Sequence, residues 1–390
     1  MSKKSKKGLM QQLFPAEGET VPQLRFPEFR NAEDWDKKLL SDVCERFSST
    51  ILANTLVNEG NFKVYGASGY FQNVNFYKEE KTYIGIVKDG SGVGRSFICE
   101  GKSSVLSTLQ IIKPKGQNNL IFIWKLIKKI NFSKYVAGGA IPHIYFKDYS
   151  KENITTPLPD EQQKIADCLS SIDDLITAQA KKIELLKDHK KGLMQQLFPA
   201  EGETVPQLRF PEFRNAEDWD KKLLSDVCER FSSTILANTL VNEGNFKVYG
   251  ASGYFQNVNF YKEEKTYIGI VKDGSGVGRS FICEGKSSVL STLQIIKPKG
   301  QNNLIFIWKL IKKINFSKYV AGGAIPHIYF KDYSKENITT PLPDEQQKIA
   351  DCLSSIDDLI TAQAKKIELL KDHKKGLMQQ LFPTSAEVEQ

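Results

Sequence analysis

Apolar positions along this chain follow two different rhythms. Between residues 37 and 157 they fall in short runs, among them FKVYG (62–66), TYIGIV (82–87), RSFICE (95–100), STLQIIKP (107–114) and HIYF (143–146), with Gly, Asn and Asp between them. That pattern predicts strands joined by turns. One stretch departs from it. In NNLIFIWKLIKKINF (118–132), helical spacing puts Leu120, Ile123, Trp124, Ile127 and Ile130 on one face and Lys125, Lys128 and Lys129 on the other. Asn118 or Asn119 can cap that helix.

Beyond residue 157 the rhythm changes to alternating steps of four and three. The positions are Ile165, Leu169, Ile172, Ile176, Gln179, Ile183, Leu186, Lys190, Leu193 and Leu197, and eight of the ten are apolar. A heptad seam of this kind predicts one long helix, started by Pro159 with an Asp160/Gln163 capping box and ended by Pro199. About 39 residues at about 1.5 Å each give a rod of about 58 Å. Such a rod exposes its seam unless another helix covers it.

The chain supplies that helix itself. Gly8, Gly192 and Gly376 stand 184 residues apart, and every residue from Lys6 to Pro199 recurs between Lys190 and Pro383. The second seam is therefore Ile349, Leu353, Ile356, Ile360, Ile367, Leu370, Leu377 and Leu381. Covalent linkage raises the effective concentration of each rod for the other, which favours an intramolecular antiparallel pair over pairing between chains. The expected order is a residual rod end (1–15), a domain (16–157), a rod (158–199), a domain (200–341), a rod (342–383) and a tail (384–390). The fold class read from this is α+β, with two identical globular domains separated by two long helices about a pseudo-twofold. Full identity of the copies points to a recent duplication or a fusion.

Charge sharpens the picture only locally. The net charge of +8 over 390 residues is a mild bias towards anionic partners. From Lys102 to Lys134, however, there are seven lysines and no acidic residue, and 286–318 repeats this. A solvated helix face accounts for such a run, and so does a nucleic-acid footprint. The six Cys lie three per copy without a CxxC, and each copy has two His, so no metal site is expected. With no apolar run near 18 residues and no signal-like start, a cytoplasmic protein is expected.

The glycine-rich KDGSGVGRS (88–96) is neither a GxxxxGK[ST] loop nor the opening of a helix, so a hairpin loop is its default reading. Such a loop can still offer Lys88, Ser91 and Arg95 to DNA, and the YGASGY turn (65–70) can offer Ser68 and Tyr70. In GGAIPHI (138–144), Gly139 allows close backbone approach, while His143 is either a structural histidine or a contact. With Lys125, Lys128 and Lys129 these are the candidate DNA-binding residues. Their copies are Ser252, Tyr254, Lys272, Ser275, Arg279, Lys309, Lys312, Lys313, Gly323 and His327. No catalytic constellation accompanies them: an Asn-Pro-Pro-aromatic motif is absent, and the carboxylates of PDEQQK are explained by helix capping.

The segments PQLRFPEF (22–29), LLSDV (39–43), VYGASGYF (64–71), IVKDGSGVGRSFI (86–98), STLQIIKPK (107–115), GGAIPHI (138–144) and PLPDEQQKIADCLSSIDDLI (157–176) occur in that order in both copies. Together they resemble the specificity subunit of type I restriction–modification enzymes, most specifically in the LP-x-x-EQ-x-x-I start of the rod. The resemblance implies two target-recognition domains, each reading half of a bipartite DNA sequence, on an antiparallel coiled coil. It implies a non-catalytic chain that docks two methyltransferase subunits, which restriction subunits then join. It further implies that S-adenosylmethionine, ATP and Mg2+ belong to those partners, with no cofactor in this chain. In circularly permuted members, a displaced rod end explains the third KKGLMQQLFP. A coiled-coil assembly protein that does not read DNA is the alternative.

Overall fold

The computed structural model describes residues 20–22 and 24–381; the expected rod end at 1–15 and tail at 384–390 lie outside the described residues. The described chain divides into two compact units. One runs up to Gln179 and takes back Lys366 onwards; the other is Ala180–Lys365.

In the first unit the predicted strands form three sheets. β1 (Asp36–Leu39) pairs antiparallel with β9 (Asn153–Thr156), clasping the two ends of the domain. A four-stranded antiparallel sheet has the order β2 (Cys44–Ser48), β8 (Leu109–Pro114), β5 (Tyr83–Val87), β6 (Ser96–Cys99). A three-stranded sheet sets β3 (Phe62–Gly66) between β4 (Gly69–Val74), antiparallel, and the short β7 (Ser104–Val105), parallel. The run HIYF does not make a strand. His143 forms only isolated bridges with Asp89 and Ala137, and a short helix starts at Phe146.

Three short helices accompany these sheets: α1 (Leu40–Val43), α2 (Leu120–Ile127) and α3 (Phe146–Tyr149). Asn119 caps α2 by accepting from the Phe122 N–H at 2.9 Å. The buried side of α2 is Phe122, Ile123, Leu126 and Ile127, a rotation from the expected stripe, because the helix is apolar on nearly every face. Phe122 meets Trp35 edge-on, with ring centroids 5.9 Å apart.

The long helix α4 (Pro159–Gln196) grows out of this core. Ile165, Ala166 and Leu169 share the core with Trp35, Leu40 and Tyr149, and Leu377 and Leu381 of α8 (Pro343–Leu381) join it. Farther along α4, Asp173 pairs with Lys374, which lies earlier on α8. The two helices therefore run antiparallel within this unit. The seam positions Ile165, Leu169 and Ile172 are buried and Ile176 is half-buried, as are Leu370 and Leu377 from the other helix, while Ile367 and Leu381 are buried.

The second unit repeats the plan with β10–β18, α5 (Leu224–Val227), α6 (Leu304–Lys313) and α7 (Phe330–Tyr333). Here Leu193 and Leu197 of α4 pack with Ile349 and Leu353 of α8, and Lys190 pairs with Asp357, so the helices again run antiparallel. Ile183 and Ile356 are buried on these seams, with Leu186 and Ile360 half-buried. Phe198, just past the end of α4, stacks on Phe306 at 5.2 Å. No helix among the described residues is long and apolar enough to cross a membrane.

One expectation about the rods needs correction. The helix starts at Pro159, so Asp160 lies inside the first turn and is not the cap. Gln163 does not close a box with it; its side chain accepts from Asn119 Nδ2 and donates to Asp167 Oδ1, both at 2.7 Å. Asp160 and Glu161 still suit the positive end of the helix.

Candidate nucleic-acid interface

Three loops meet at one end of the sheets in each unit. The glycine-rich loop continues the β5–β6 ladder, since Val87 N–H donates to the Arg95 carbonyl (2.9 Å) and Gly94 N–H to the Val87 carbonyl (2.8 Å). Gly94 has φ +83°, and a Cβ there would come within 2.7 Å of Phe132 Cβ, so only glycine allows this turn. The 137–143 segment is strapped across it. Gly90 N–H donates to the Pro142 carbonyl (2.9 Å), Ile144 N–H to the Lys88 carbonyl (2.9 Å), and His143 Nδ1 lies 2.7 Å from Asp89 Oδ1. His143 is thus committed to holding two loops together. Gly139 sits on the same segment, with open space where a Cβ would be.

The third loop is the turn between β3 and β4. Arg95 Nη1 approaches the Ala67 carbonyl at 3.4 Å, which ties the turn to the glycine-rich loop. In the second unit these groups line a cleft of about 360 Å3 formed by Ser252, Ser275 and Arg279 with Ala251, Phe255, Leu290 and Thr292. In the first unit a neighbouring hollow of about 310 Å3 is lined by Arg95, Lys128, Gly94 and Phe132. Three segments distant in sequence are thus joined through the glycine-rich loop that carries this arginine. Tyr70 and Tyr254 stand 56% exposed beside the turn. Lys88 and Lys272 point towards Asp89 and Asp273, at 3.7 and 3.6 Å.

The lysines of α2 and α6 divide. Lys125 and Lys309 are each only 2% exposed, and they bind Asp173 and Asp357 at 2.8 and 3.1 Å. The expectation of a solvated, DNA-facing Lys125 and Lys309 is therefore overturned: the face predicted to meet solvent meets the rod instead. Burial lowers the pKa of Lys125, against the raising effect of its Asp173 hydrogen bond. Lys128 and Lys312 remain on the surface and lie 4.0 and 4.1 Å over the Trp124 and Trp308 rings. Lys129 and Lys313 are both exposed, and Lys313 leans on the Phe198 ring at 5.2 Å and the Pro199 carbonyl at 3.4 Å.

Sequence reasoning missed Phe71 and Ile141, which are 44% and 59% exposed near the loops, and Thr292 in the cleft. Phe71 and Ile141 adjoin residues that the sequence does single out, while Thr292 is held at the cleft by the Lys272 N–H, which donates to its carbonyl at 2.9 Å. The Glu-Gln of the rod motif proves to be a clamp. Glu161 accepts a forked pair from Arg25 Nε and Nη2 at 2.9 and 2.7 Å. The Gln162 side chain accepts from Asn119 N–H (3.0 Å) and donates to Asn118 Oδ1 and the Pro157 carbonyl. These bonds fasten each rod to its domain. No group of three or more His, Cys, Asp or Glu able to hold a metal occurs among the described residues. Burial pushes the Cys44 and Cys99 thiols up to about 12, far from a reactive thiolate.

Comparison with known proteins gives this arrangement a family. The type I restriction modification DNA specificity domain matches residues 32–188 and again 216–372. The type I restriction enzyme MjaVIII specificity subunit of Methanocaldococcus jannaschii is 29% identical over 339 residues, covering 75% of this chain and 76% of that protein. The MjaIX specificity subunit of the same organism is 24% identical, covering 70% and 69%. Among solved structures, the type I restriction–modification S subunit from M. genitalium has the same fold, with a TM-score of 0.67 at 17% identity, over 94% of this chain and 100% of that one. With the specificity domain matched twice, each time on a sheet domain and the rod that leaves it, the chain belongs to the type I restriction–modification specificity family and is a non-catalytic specificity subunit with two repeated domains.

Proposed function

We propose that this subunit reads a bipartite, inverted-repeat DNA target with an unread spacer, and that it carries two methyltransferase subunits to that target. The observation behind this reading is the duplication itself: each unit presents the same loop cluster around Arg95 or Arg279. Identical clusters read identical bases, one on each strand. Lys88, Lys128 and Lys129, with their copies, supply phosphate attraction that is independent of sequence and weakened by salt. Ser68, Ser91, Tyr70 and Arg95 supply contacts to base edges.

Two identical units also offer two equivalent docking surfaces, so two copies of one methyltransferase bind per chain, and restriction subunits join through them. S-adenosylmethionine, ATP and Mg2+ enter with those partners. Native mass measurement of the saturated complex tests the scaffold, with two partners per chain as the expected result and one as the contrary result. A gel-shift with the assembled methyltransferase tests the readout: one duplex selected from a random pool should outcompete bulk DNA. Equal competition by all duplexes would leave a coiled-coil assembly role.

A further inference from the structure

We propose that Arg95 and Arg279 are specificity-determining residues, and that each reads one guanine in its half-site through a forked contact to N7 and O6. The inference rests on the proposed reading that the loop clusters face DNA. Four arginines occur in each unit: Arg25, Arg30, Arg46 and Arg95 in the first. Arg25 is consumed by Glu161, whereas Arg279, the copy of Arg95, lines the cleft and Arg95 borders the neighbouring hollow of its own unit. Its backbone carbonyl is locked to Val87, and its amide to the Gly92 carbonyl at 3.0 Å, so the side chain starts from a rigid hairpin. One guanidinium nitrogen is steered by the Ala67 carbonyl, and the side chain that carries the further N–H groups is exposed.

The groups around Arg279 match an acceptor-rich edge. Ser252, Ser275 and Thr292 add hydroxyl donors, and no acidic side chain is among the described residues that line the cleft. The nearby Asp273 is occupied by His327 at 2.7 Å. In the major groove only guanine shows two adjacent acceptors that fit the planar fork of arginine; adenine pairs its N7 acceptor with an amino donor. Phe255 and Leu290 form an apolar wall that suits a base face or a thymine methyl group next to that guanine.

The test uses the full chain assembled with its methyltransferase. Methylated sites are selected from a randomised duplex library for the parent, for Arg95→Ala with Arg279→Ala, and for Arg95→Lys with Arg279→Lys. The parent should show one guanine at mirrored positions of the two half-sites. Both variants should lose preference at that position by about ten-fold or more, because lysine keeps the charge but not the fork, while the other positions stay unchanged. A lysine variant that keeps the preference, a uniform weakening at all positions, or relaxation at a base other than guanine would each overturn the assignment. A parent with no sequence preference would instead sink the underlying DNA-reading proposal, a result separate from these three. Arg95 is exposed, so the alanine variant should fold; a thermal midpoint equal to the parent's checks this, and the lysine variant decides if it does not.

Discussion

Arg25 and Glu161 carry charges that the fold takes out of water. Their side chains are 7% and 2% exposed, and the guanidinium spends two further donors on the carbonyls of Ala32 and Glu33 at 2.8 Å. Removing one member of such a pair leaves the other ion buried without compensation, which costs about 3–5 kcal/mol. Arg25→Ala should therefore lower the thermal midpoint of the first unit, and Arg25→Met with Glu161→Leu should restore part of the loss. A midpoint unchanged by Arg25→Ala would contradict this account of the clamp. At this scale the sequence was half legible. Its pattern marked the Pro-Asp-Glu-Gln start of the rod as special, but capping explained the carboxylates well enough that Arg25, far away in the chain, went unnoticed. Lys125 failed for a related reason: helical spacing shows which residues share a face, not which element will cover that face.

The rods were the most legible elements, because a seam repeated over many turns leaves one solution: every seam position on both helices is buried or half-buried. What the pattern hid is the charge node that each rod carries. Asp173 receives Lys125 from the domain and Lys374 from the other helix; Asp357 receives Lys309 and Lys190. Burial raises the Asp173 pKa, but the hydrogen bonds and charges of the two lysines outweigh it and hold the carboxyl below its usual range. A carboxyl depressed in the folded state stabilises fully above its unfolded pKa of about 3.9 and loses that contribution as pH falls through the folded value. Asp173→Asn with Asp357→Asn should cost about 1–2 kcal/mol per site at neutral pH, below the range for a fully buried pair because the carboxylates are more than a third exposed. The same variant should flatten the acid decline in denaturant midpoint below pH of about 4. An acid limb identical to the parent's would rule out the node as its source. Since the node also fastens the domain to both rods, the variant should tolerate a wider range of DNA spacers with unchanged half-sites.

The candidate interface lies between these extremes of legibility. Glycine-rich strings announced loops, yet nothing local showed that the 66–69 turn, the 88–95 loop and the 137–143 strap share one surface. The β5–β6 pairing builds the 88–95 loop, the strap bridges to it at Asp89, and Arg95 reaches from it to the Ala67 carbonyl of the turn. Rod length belongs to the same scale. Inserting four residues into LITAQA (175–180) and into its copy adds about 6 Å of helix, nearly one turn, so the seams stay almost in phase. At about 3.4 Å per base pair, the preferred spacer should lengthen by one or two pairs. A spacer indifferent to the insertion, read from the methylated sites of the lengthened protein, would disprove the rods as a ruler.

For the molecule as a whole, the duplication is the central fact. On the proposed reading, two units with one sequence have one recognition chemistry, and the DNA target repeats itself on the opposite strand. Reading from one face of B-DNA places half-site centres about one helical turn apart, roughly 34–36 Å, with several unread pairs between them. Genome-wide mapping of methylated sites in cells carrying this chain and its methyltransferase measures this directly. The account predicts a single motif whose two half-sites are reverse complements of each other, methylated equally on both strands across a fixed spacer. An asymmetric motif, or two half-sites of unrelated sequence, would contradict it.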